Sequence, residues 1–199
     1  CAPEAVVVEQ PARLGTGHAV QCAAPALEGF RGVVLVLYAD TPLLRGETLA
    51  ELRGAVAGGA AVAVLGFEAA APGGYGRLVR DRTGGLERIV EAKDANAAER
   101  AITLCNAGVM GFAWPDAVPW LAGLSNANAK TEYYLTDLVA AARAAGRRAA
   151  VALCPESETL GVNDRADLAA AEAVFQARAR AAAFAGGATL TAPETVFLA

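Results

Sequence analysis

The sequence is poor in lysine and basic clusters, and it has no long apolar run. Only Lys93 and Lys130 are lysines among 17 cationic residues, and the formal net charge is −4. This balance argues against a nucleic-acid surface, which would show clustered lysine and arginine. No apolar run approaches the roughly 18 residues that cross a bilayer. Because 55% of the 199 residues are hydrophobic, disorder is excluded and a soluble globular chain is expected.

Motifs for metal binding or nucleophilic catalysis are also scarce. His18 is the only histidine, so any Ser-His-Asp or Cys-His scheme would depend on it. Its place after a glycine at a predicted helix start favours a capping or packing role. The cysteines form no CxxC pattern, which predicts free thiols in a reducing compartment rather than disulfides or a zinc site. They are Cys1, Cys22, Cys105 and Cys154.

Short β-branched runs alternate with stretches rich in alanine and leucine. This alternation predicts an α/β fold with a mostly parallel sheet. Strands are predicted at residues 6–9, 33–38, 61–67, 102–112 and 149–153, with a hairpin of residues 78–80 and 86–90. Helices are predicted at residues 17–26, 48–56, 134–145 and 167–184. A domain boundary is expected near Gly186, where the last helix ends and a β-like segment begins.

The segment LGTGHA at residues 14–19 joins a predicted strand to a predicted helix. Glycine lets backbone N–H groups approach a ligand closely, and a helix N-terminus favours anions. The segment lacks the P-loop ending and the full GxGxxG pattern. A tight strand-to-helix turn therefore explains it about as well as a binding loop does.

Two further positions suggest a metal or phosphate site. Asp40 follows the predicted strand 33–38, at the strand end where open α/β sheets bind ligands. Its carboxylate could hold Mg²⁺, although an aspartate that opens a turn before Pro42 is the alternative. Asn163 or Asp164 is a natural N-cap for the last helix, and the same junction can present Asn163 to a metal or phosphate.

The remaining candidates are uninformative when taken one at a time. A glycine-rich run at residues 73–76 could contact a ligand or form a flexible turn. Glu91 follows a predicted strand, Asn106 lies within one, and Glu132 precedes a predicted helix. Single residues of these types are usually solvated or serve as caps.

The order of these segments is more specific than any one of them. Together they resemble the bacterial family of bifunctional N-acetylglucosamine-1-phosphate uridylyltransferase/glucosamine-1-phosphate acetyltransferases, and the match extends over nearly the whole chain. The matching runs are LGTGHA at 14–19, YADTPL at 38–43, GYGR at 74–77, IVEAKD at 89–94, NAG at 106–108, EYYLTD at 132–137 and GVN at 161–163.

The resemblance implies a Rossmann-like nucleotidyltransferase fold and a specific reaction. UTP and N-acetylglucosamine 1-phosphate would give UDP-N-acetylglucosamine and pyrophosphate, with Mg²⁺ required, in the synthesis of peptidoglycan and lipopolysaccharide precursors. Carried onto this sequence, Asp40 and Asn163 would be the catalytic residues that ligate Mg²⁺. The uracil would contact Gln10, Gly15 and Thr16. The N-acetylglucosamine and ribose hydroxyls would be held by Gly76, Glu91, Asn106 and Glu132, beside Tyr38 and Tyr134, which would shape the pocket.

The sequence departs from the family pattern in two ways: it lacks the loop that grips the triphosphate, and it lacks most of the C-terminal β-helix that carries acetyl transfer. The run G-x-G-T-R-M and the later P-K, which supply the cations that grip the triphosphate, do not occur in it. We therefore expect residues 1–185 to be a partial nucleotidyltransferase domain, incomplete at the N-terminus. Residues 186–199 are expected to be a linker and the first coil of a truncated left-handed β-helix acetyltransferase domain. This chain alone is expected to be inactive in both reactions.

Two other functions remain open at the level of sequence. One is a related sugar-nucleotide transferase that uses another sugar or base. The other is a non-catalytic sugar-nucleotide-binding module that kept the sugar pocket without the phosphate loop. For the family reading, the implied partners are UTP, the sugar phosphate and the sugar nucleotide, with no nucleic acid or membrane. The parent chain would be a cytoplasmic homotrimer.

Overall fold

The computed structural model describes residues 4–128 and 130–198. The strands are β1 (Val33–Val36), β2 (Val62–Glu68), β3 (Arg77–Arg80), β4 (Leu86–Val90), β5 (Leu104–Ala113) and β6 (Ala149–Leu153). The α-helices are α1 (Thr16–Ala23), α2 (Gly46–Ala57), α3 (Ala97–Arg100), α4 (Ala117–Ala122), α5 (Asp137–Ala144) and α6 (Arg165–Ala185). Short 3-10 helices occur at Ala24–Leu27, Glu156–Glu158 and Pro193–Thr195.

Neighbouring strands of the six-stranded sheet run mostly antiparallel, so the predicted mostly parallel sheet is wrong in this respect. β5 lies between β2 on one side and β1 and β3 on the other, and it is antiparallel to all three. β3 and β4 are also antiparallel, whereas β2 and β6 are parallel. The cause is the insertion of β5. Strands β1, β2, β3 and β6 point the same way, as alternating strands and helices predict, but β5 runs against them and separates them.

The sheet is covered on both faces, and β2 supplies alternate residues to the two cores. Val62 and Val64 enter a cluster with Leu121 of α4 and Leu138 of α5. Ala63, Leu65 and Phe67 enter a second cluster with Leu52 and Val56 of α2. Because side chains alternate along a strand, a strand buried on both faces is apolar at every position. This explains the continuous apolar run that predicted β2.

An irregularity in β5 lies beside the candidate site. Between two consecutive pairings, β2 advances from Val64 to Gly66 while β5 covers four positions, from Met110 back to Asn106. Gly108 in this bulge has φ +83°, and a Cβ atom there would lie 2.6 Å from the Tyr38 ring. Only glycine combines that backbone conformation with such close ring packing. The strand predicted at residues 102–112 is thus present as β5, with this bulge inside it.

Several predicted boundaries need correction. The strand predicted at residues 6–9 is absent, since residues 5–10 have no regular structure, and Val6 and Val7 are 79% and 92% exposed. No described strand lies beside them to supply ladder hydrogen bonds. The helix predicted at 134–145 begins at Asp137, because Glu132 and the two tyrosines after it belong to a loop bonded to the start of α1.

The C-terminal residues fold back on α6. The Gln176 side chain is 4% exposed, and it donates to the Leu198 carbonyl and accepts from the Leu198 N–H, both at 2.8 Å. No strand forms among residues 188–198. Cys22, Cys105 and Cys154 are free, as predicted, while Cys1 lies outside the described residues. None of the helices in the described ranges has the length and apolar character that a bilayer crossing requires.

Candidate functional site

A cavity of about 250 Å³ opens where the start of α1, the end of β4, the β5 bulge and the loop before α5 meet. Four of the seven predicted substrate-binding residues line it, namely Thr16, Glu91, Asn106 and Glu132. Tyr38 and Tyr134, predicted to shape the pocket, line it as well. The other lining residues are Gly74, Ala92, Lys93, Asp94, Lys130 and Thr136.

Gly15 brings the start of α1 against the loop that carries Glu132. Its φ is +103°, and a Cβ atom would lie 2.7 Å from the Tyr133 carbonyl oxygen and 2.9 Å from the Glu132 Cβ. On either side of this contact, the Tyr133 N–H donates to Leu14 O at 2.7 Å, and Gly17 N–H donates to Tyr133 O at 2.8 Å. This two-bond bridge fixes Glu132 beside the helix N-terminus, which requires glycine at position 15.

Gln10 stands behind this bridge and does not line the cavity. Its amide nitrogen donates to Gly15 O at 3.1 Å and lies 3.0 Å from His18 Nδ1. Thr16 faces the cavity, and its hydroxyl oxygen accepts from Leu135 N–H at 3.1 Å. His18 also lies 3.7 Å from the Cys22 sulfur, one helical turn away, but neither of these two residues lines the cavity. His18 therefore has the packing role that its position predicts.

Gly76 and Asn106 form the opposite wall. Asn106 N–H donates to Gly76 O at 2.8 Å, and the Asn106 side-chain oxygen accepts from Gly108 N–H at 3.0 Å. Gly76 is buried next to the cavity. A Cβ atom there would lie 3.6 Å from the Asn106 Cβ and 3.7 Å from Glu91 Oε1. The backbone of β3 thus reaches the two side chains at the pocket wall.

The cavity is electrostatically mixed. Burial raises the pKa of Glu91, and the nearby Asp94 and Asp137 charges add to this shift, while Lys130 opposes it. Burial likewise raises the pKa of Tyr38, whose hydrogen bond with Thr16 lowers it. Both groups therefore sit where water is partly excluded, so hydrogen bonds to a polar ligand are stronger than in bulk solvent.

Sequence reasoning did not assign roles to Lys93, Asp94, Lys130 and Thr136, which the structure adds to the pocket lining. A signal for two of them existed. Lys93 and Lys130 are the chain's only lysines, and each lies two residues from a predicted site residue, Glu91 or Glu132. Because lysine is so rare in this chain, its occurrence beside two predicted site residues could have identified both lysines as pocket residues.

Asp40 and Asn163 form a separate pair of exposed residues outside the cavity lining. Their loops are joined by a hydrogen bond from Val162 N–H to Asp40 O at 2.8 Å. Asp164 is the N-cap of α6, accepting from Ala166 and Asp167 N–H groups. Asn163 donates its backbone N–H and its side-chain amide to Asp167 Oδ2, at 3.0 and 3.3 Å. These bonds direct the Asn163 amide nitrogen to Asp167, so the amide oxygen is the side-chain atom left for a ligand.

Further bonds hold the same two loops together. The buried Glu158 carboxylate accepts from Arg45 N–H at 3.2 Å and from the Thr48 hydroxyl at 2.7 Å. The Arg178 guanidinium of α6 donates to Leu43 O at 2.7 Å and to Ser157 O at 3.0 Å. The loop after β1 and the loop before α6 are therefore fixed relative to each other at three places.

The side-chain oxygens of Asp40 and Asn163 are of the kind that Mg²⁺ prefers as ligands. A carboxylate and an amide oxygen are hard donors, and Mg²⁺ keeps several waters while taking few protein ligands together with substrate phosphates. No group of three or more His, Cys, Asp or Glu side chains suited to a metal occurs within residues 4–128 and 130–198. The pair thus fits an ion shared with phosphate oxygens better than a site built from protein alone.

Among known proteins, this chain is similar in sequence to several that are named bifunctional protein GlmU. No family model matches the chain. The bifunctional protein GlmU of Dinoroseobacter shibae is 58% identical over 198 residues, which cover 100% of this chain and 44% of that protein. GlmU of Xanthobacter autotrophicus is 58% identical over 98% of this chain, and GlmU of Cereibacter sphaeroides 59% over 97%. The chain spans less than half the length of these relatives.

Solved structures support the fold class. A nucleoside-diphosphate-sugar pyrophosphorylase from Vibrio cholerae aligns with a TM-score of 0.55 at 12% identity, over 78% of this chain and 64% of that one. A UDP-glucose pyrophosphorylase complexed with UDP-glucose aligns with a TM-score of 0.55 at 21% identity. The alignment covers 71% of this chain and 55% of that one. At these identities the similarity concerns the fold alone, and it confirms an α/β fold like that of these two pyrophosphorylases.

Proposed function

The chain is homologous over nearly its whole length to part of the bifunctional GlmU proteins, and from this we propose that it transfers a uridylyl group. The donor is UTP, the acceptor is N-acetylglucosamine 1-phosphate, and the products are UDP-N-acetylglucosamine and pyrophosphate. Because the chain spans less than half of each relative, we propose this activity for the chain joined to the remaining length of such a protein. The 199 residues alone are expected to bind ligand without turnover.

One observation carries the proposal. Thr16, Glu91, Asn106 and Glu132 are far apart in sequence yet line one cavity of about 250 Å³, with Gly76 beside it. Carboxylates, an amide and a hydroxyl are the partners that sugar and ribose hydroxyls need when water is excluded. We propose that Gly76, Glu91, Asn106 and Glu132 hold these hydroxyls. Gly15 and Thr16 would contact the uracil, supported from behind by Gln10.

The reaction needs positioning and charge neutralisation rather than a protein nucleophile. An oxygen of the sugar phosphate attacks the α-phosphorus of UTP, a new P–O bond forms, and the bond to the bridging β-phosphate oxygen breaks to release pyrophosphate. A bound Mg²⁺ ion would neutralise charge on these phosphates, and Asp40 and Asn163 would hold it. Asp167 would orient Asn163, and the bond between Val162 and Asp40 would set the spacing of the two ligands.

Three further assignments belong to the same proposal. Residues 1–185 would be the larger part of the nucleotidyltransferase domain, and residues 186–199 a linker with the first coil of a β-helix. The physiological partners would be UTP, the sugar phosphate and the sugar nucleotide, in the cytoplasm. The full-length parent would assemble as a homotrimer.

A chimera tests the activity directly. This chain replaces the homologous 198 residues of the Dinoroseobacter shibae protein, and UDP-N-acetylglucosamine formation is measured with UTP, the sugar phosphate and Mg²⁺. We expect Mg²⁺-dependent turnover, and Asp40→Ala should reduce it by roughly 100-fold or more. Acetyl transfer by the same chimera should stay nearly intact. Asp116→Ala is the matched control, because Asp116 is an exposed carboxylate paired with Arg147 on another surface.

The alternatives give different results in this assay. A folded chimera that keeps acetyl transfer but makes no sugar nucleotide would contradict the proposal and support a binding module. Faster turnover with another nucleoside triphosphate or another sugar phosphate would indicate a related transferase. Equal loss of both activities on Asp40→Ala would point to a folding defect instead of a metal ligand.

A further inference from the structure

Arg77 is a buried cation with an unusual set of partners. It begins β3, and only 3% of its surface is exposed. None of the five ion pairs among the described residues includes it. Burying a guanidinium without a carboxylate costs free energy, unless other oxygens compensate the loss of water. Its surroundings must therefore supply those oxygens.

The oxygens all come from the loop immediately before β3. Arg77 donates through Nη2 to Gly73 O at 3.1 Å and through Nη1 to Pro72 O at 3.4 Å and to Tyr75 O. The buried Nε atom has no partner among the described residues. The guanidinium is thus oriented so that both Nη atoms bind loop carbonyls, whereas its Nε donor is left unpaired among the described residues.

This loop has little else to fix its shape. Three of residues 73–76 are glycines, which lack side chains that could anchor it. Besides the bond that Gly76 O accepts from Asn106 N–H, it has a turn bond from Tyr75 N–H to Pro72 O and a perpendicular contact between the Tyr75 and Phe67 rings. Yet Gly74 lines the cavity, and Gly76 holds Asn106 N–H at 2.8 Å. The Arg77 guanidinium therefore holds a glycine-rich loop whose residues form part of the pocket wall.

We propose that Arg77 is a positioning residue for the sugar end of the site. It holds the loop of residues 72–76 so that Gly74 and Gly76 meet the N-acetylhexose part of a nucleotide sugar, without touching the ligand itself. This inference rests on the proposed function. A lysine at position 77 keeps the charge but offers one nitrogen in place of the planar fork, so it cannot bind carbonyls on both sides of the loop.

The test compares two ligands and two variants of this chain by NMR titration. The ligands are UDP-N-acetylglucosamine and UDP, which differ only in the sugar. Arg77→Lys should weaken binding of the sugar nucleotide about tenfold and change UDP binding by less than about twofold. Arg80→Lys is the control at the exposed end of the same strand, and it should leave both affinities unchanged. Equal weakening of both ligands by Arg77→Lys, or no change in either, would overturn the inference.

A second measurement needs no variant. Backbone order parameters of Gly73 and Gly74 in the wild-type chain should equal those of the β3 residues, about 0.85, although the loop is rich in glycine. Values below about 0.6 would overturn the inference even if Arg77→Lys fails to fold. If wild type binds UDP but does not distinguish the sugar nucleotide from it, the inference fails alone. If it binds neither ligand, the proposed function fails together with it.

Discussion

Glu91 is part of the proposed sugar-binding site, but its surroundings disfavour the ionised form of its carboxyl group. It is half-buried at the cavity, where burial raises its pKa and Asp94 and Asp137 repel its charge. A carboxyl whose folded-state pKa is raised binds more protons folded than unfolded between the two pKa values. The free energy of unfolding therefore falls as pH rises through that window, and the penalty persists at neutral pH. The ionised side chain is retained at a cost in stability.

Replacing this carboxylate should separate stability from binding. Glu91→Gln should raise the melting temperature at pH 7, with the gain disappearing as the pH falls below the raised pKa of Glu91. The same change should weaken UDP-N-acetylglucosamine binding by about 1.5–3 kcal/mol, roughly 10- to 100-fold, because a charge-assisted hydrogen bond is lost. Thermal unfolding across pH and ligand titration measure the two effects.

The control for this substitution is Glu87→Gln in β4, the strand that ends just before Glu91. Glu87 is exposed and paired only with its neighbour Arg88, so neither stability nor affinity should change appreciably. A lower melting temperature for Glu91→Gln at pH 7 would contradict the electrostatic account. An unchanged affinity would remove Glu91 from the proposed sugar-binding set.

The start of α1 depends on how the helix meets a loop from another part of the chain. Gly15 is the N-cap, with φ +103° and ψ 176°, and it makes no side-chain cap bond. The helix start is stabilised instead by the bridge to Tyr133. Because both Gly15 and Thr16 were predicted to contact uracil, the integrity of this junction should matter for nucleotide binding as well as for stability.

Two glycine substitutions separate the conformational cost from the packing cost. Gly59 has a similar φ of +97° but no atom within 4 Å of the position a Cβ would take. Gly59→Ala should cost about 1–2 kcal/mol from backbone strain alone. Gly15→Ala should cost about 3–4 kcal/mol, because its Cβ also meets the Tyr133 carbonyl oxygen at 2.7 Å. Chemical denaturation of both variants measures the difference.

Ligand binding adds a second discriminating result. Gly15→Ala should also abolish UDP binding at the cavity, as measured by NMR titration. Gly59→Ala, at the exposed end of α2, should leave UDP binding intact. Equal destabilisation by the two variants would mean that the loop carrying Tyr133 adjusts to the extra methyl group. The bridge would then not be the element that fixes Glu132.

At the scale of the whole molecule, two apolar surfaces have no partner within residues 4–128 and 130–198. Val6 and Val7 are almost fully exposed, and β1 pairs with β5 alone among the described strands. A groove of about 350 Å³ runs between α1 and the uncovered side of β1. Apolar side chains form most of its lining, including Val20, Leu27, Val34 and Val36. Uncovered sheet edges and exposed valines promote pairing between chains.

This chain should therefore self-associate as its concentration rises. The double substitution Val6→Lys and Val7→Lys should suppress association without lowering the melting temperature, since neither side chain packs on the core. Sedimentation velocity at several concentrations measures it. Leu168→Lys, at an exposed apolar site on α6, is the control and should not suppress association. A monomer at every concentration would contradict the prediction.

Much of the fold could be predicted from the sequence, since most of the helices and strands follow local patterns. The predicted strand at 149–153 matches β6, and the predicted hairpin matches β3 and β4 within one residue. The failures have physical causes. Residues 6–9 have a strand-forming sequence, but a strand also needs a neighbour for its hydrogen bonds. The predicted helix includes Tyr134, whereas the long-range bonds of the preceding Tyr133 to Leu14 and Gly17 hold this segment in a loop.

The residues of the candidate site likewise fall into those that the sequence predicted and those that only the structure identified. Motif order along the chain predicted Asp40, Glu91, Asn106 and Asn163, because the resemblance assigns functions by position in a motif. The rarity of lysine marks Lys93 and Lys130 in the sequence, but the meeting of both at one cavity and the burial of Arg77 depend on tertiary packing. No local pattern encodes those positions.

The sequence by itself determined the element types and the motif positions, because periodic burial and turn chemistry act over a few neighbouring residues. Only the tertiary structure decided the strand directions, since β5 enters between strands that local alternation would pair in parallel. It also decided which polar groups share the cavity of about 250 Å³ and which, like Asp40 and Asn163, form a separate pair. Those outcomes depend on long-range hydrogen bonds and packing, which join residues that are tens of positions apart in the sheet and more than a hundred apart at the site.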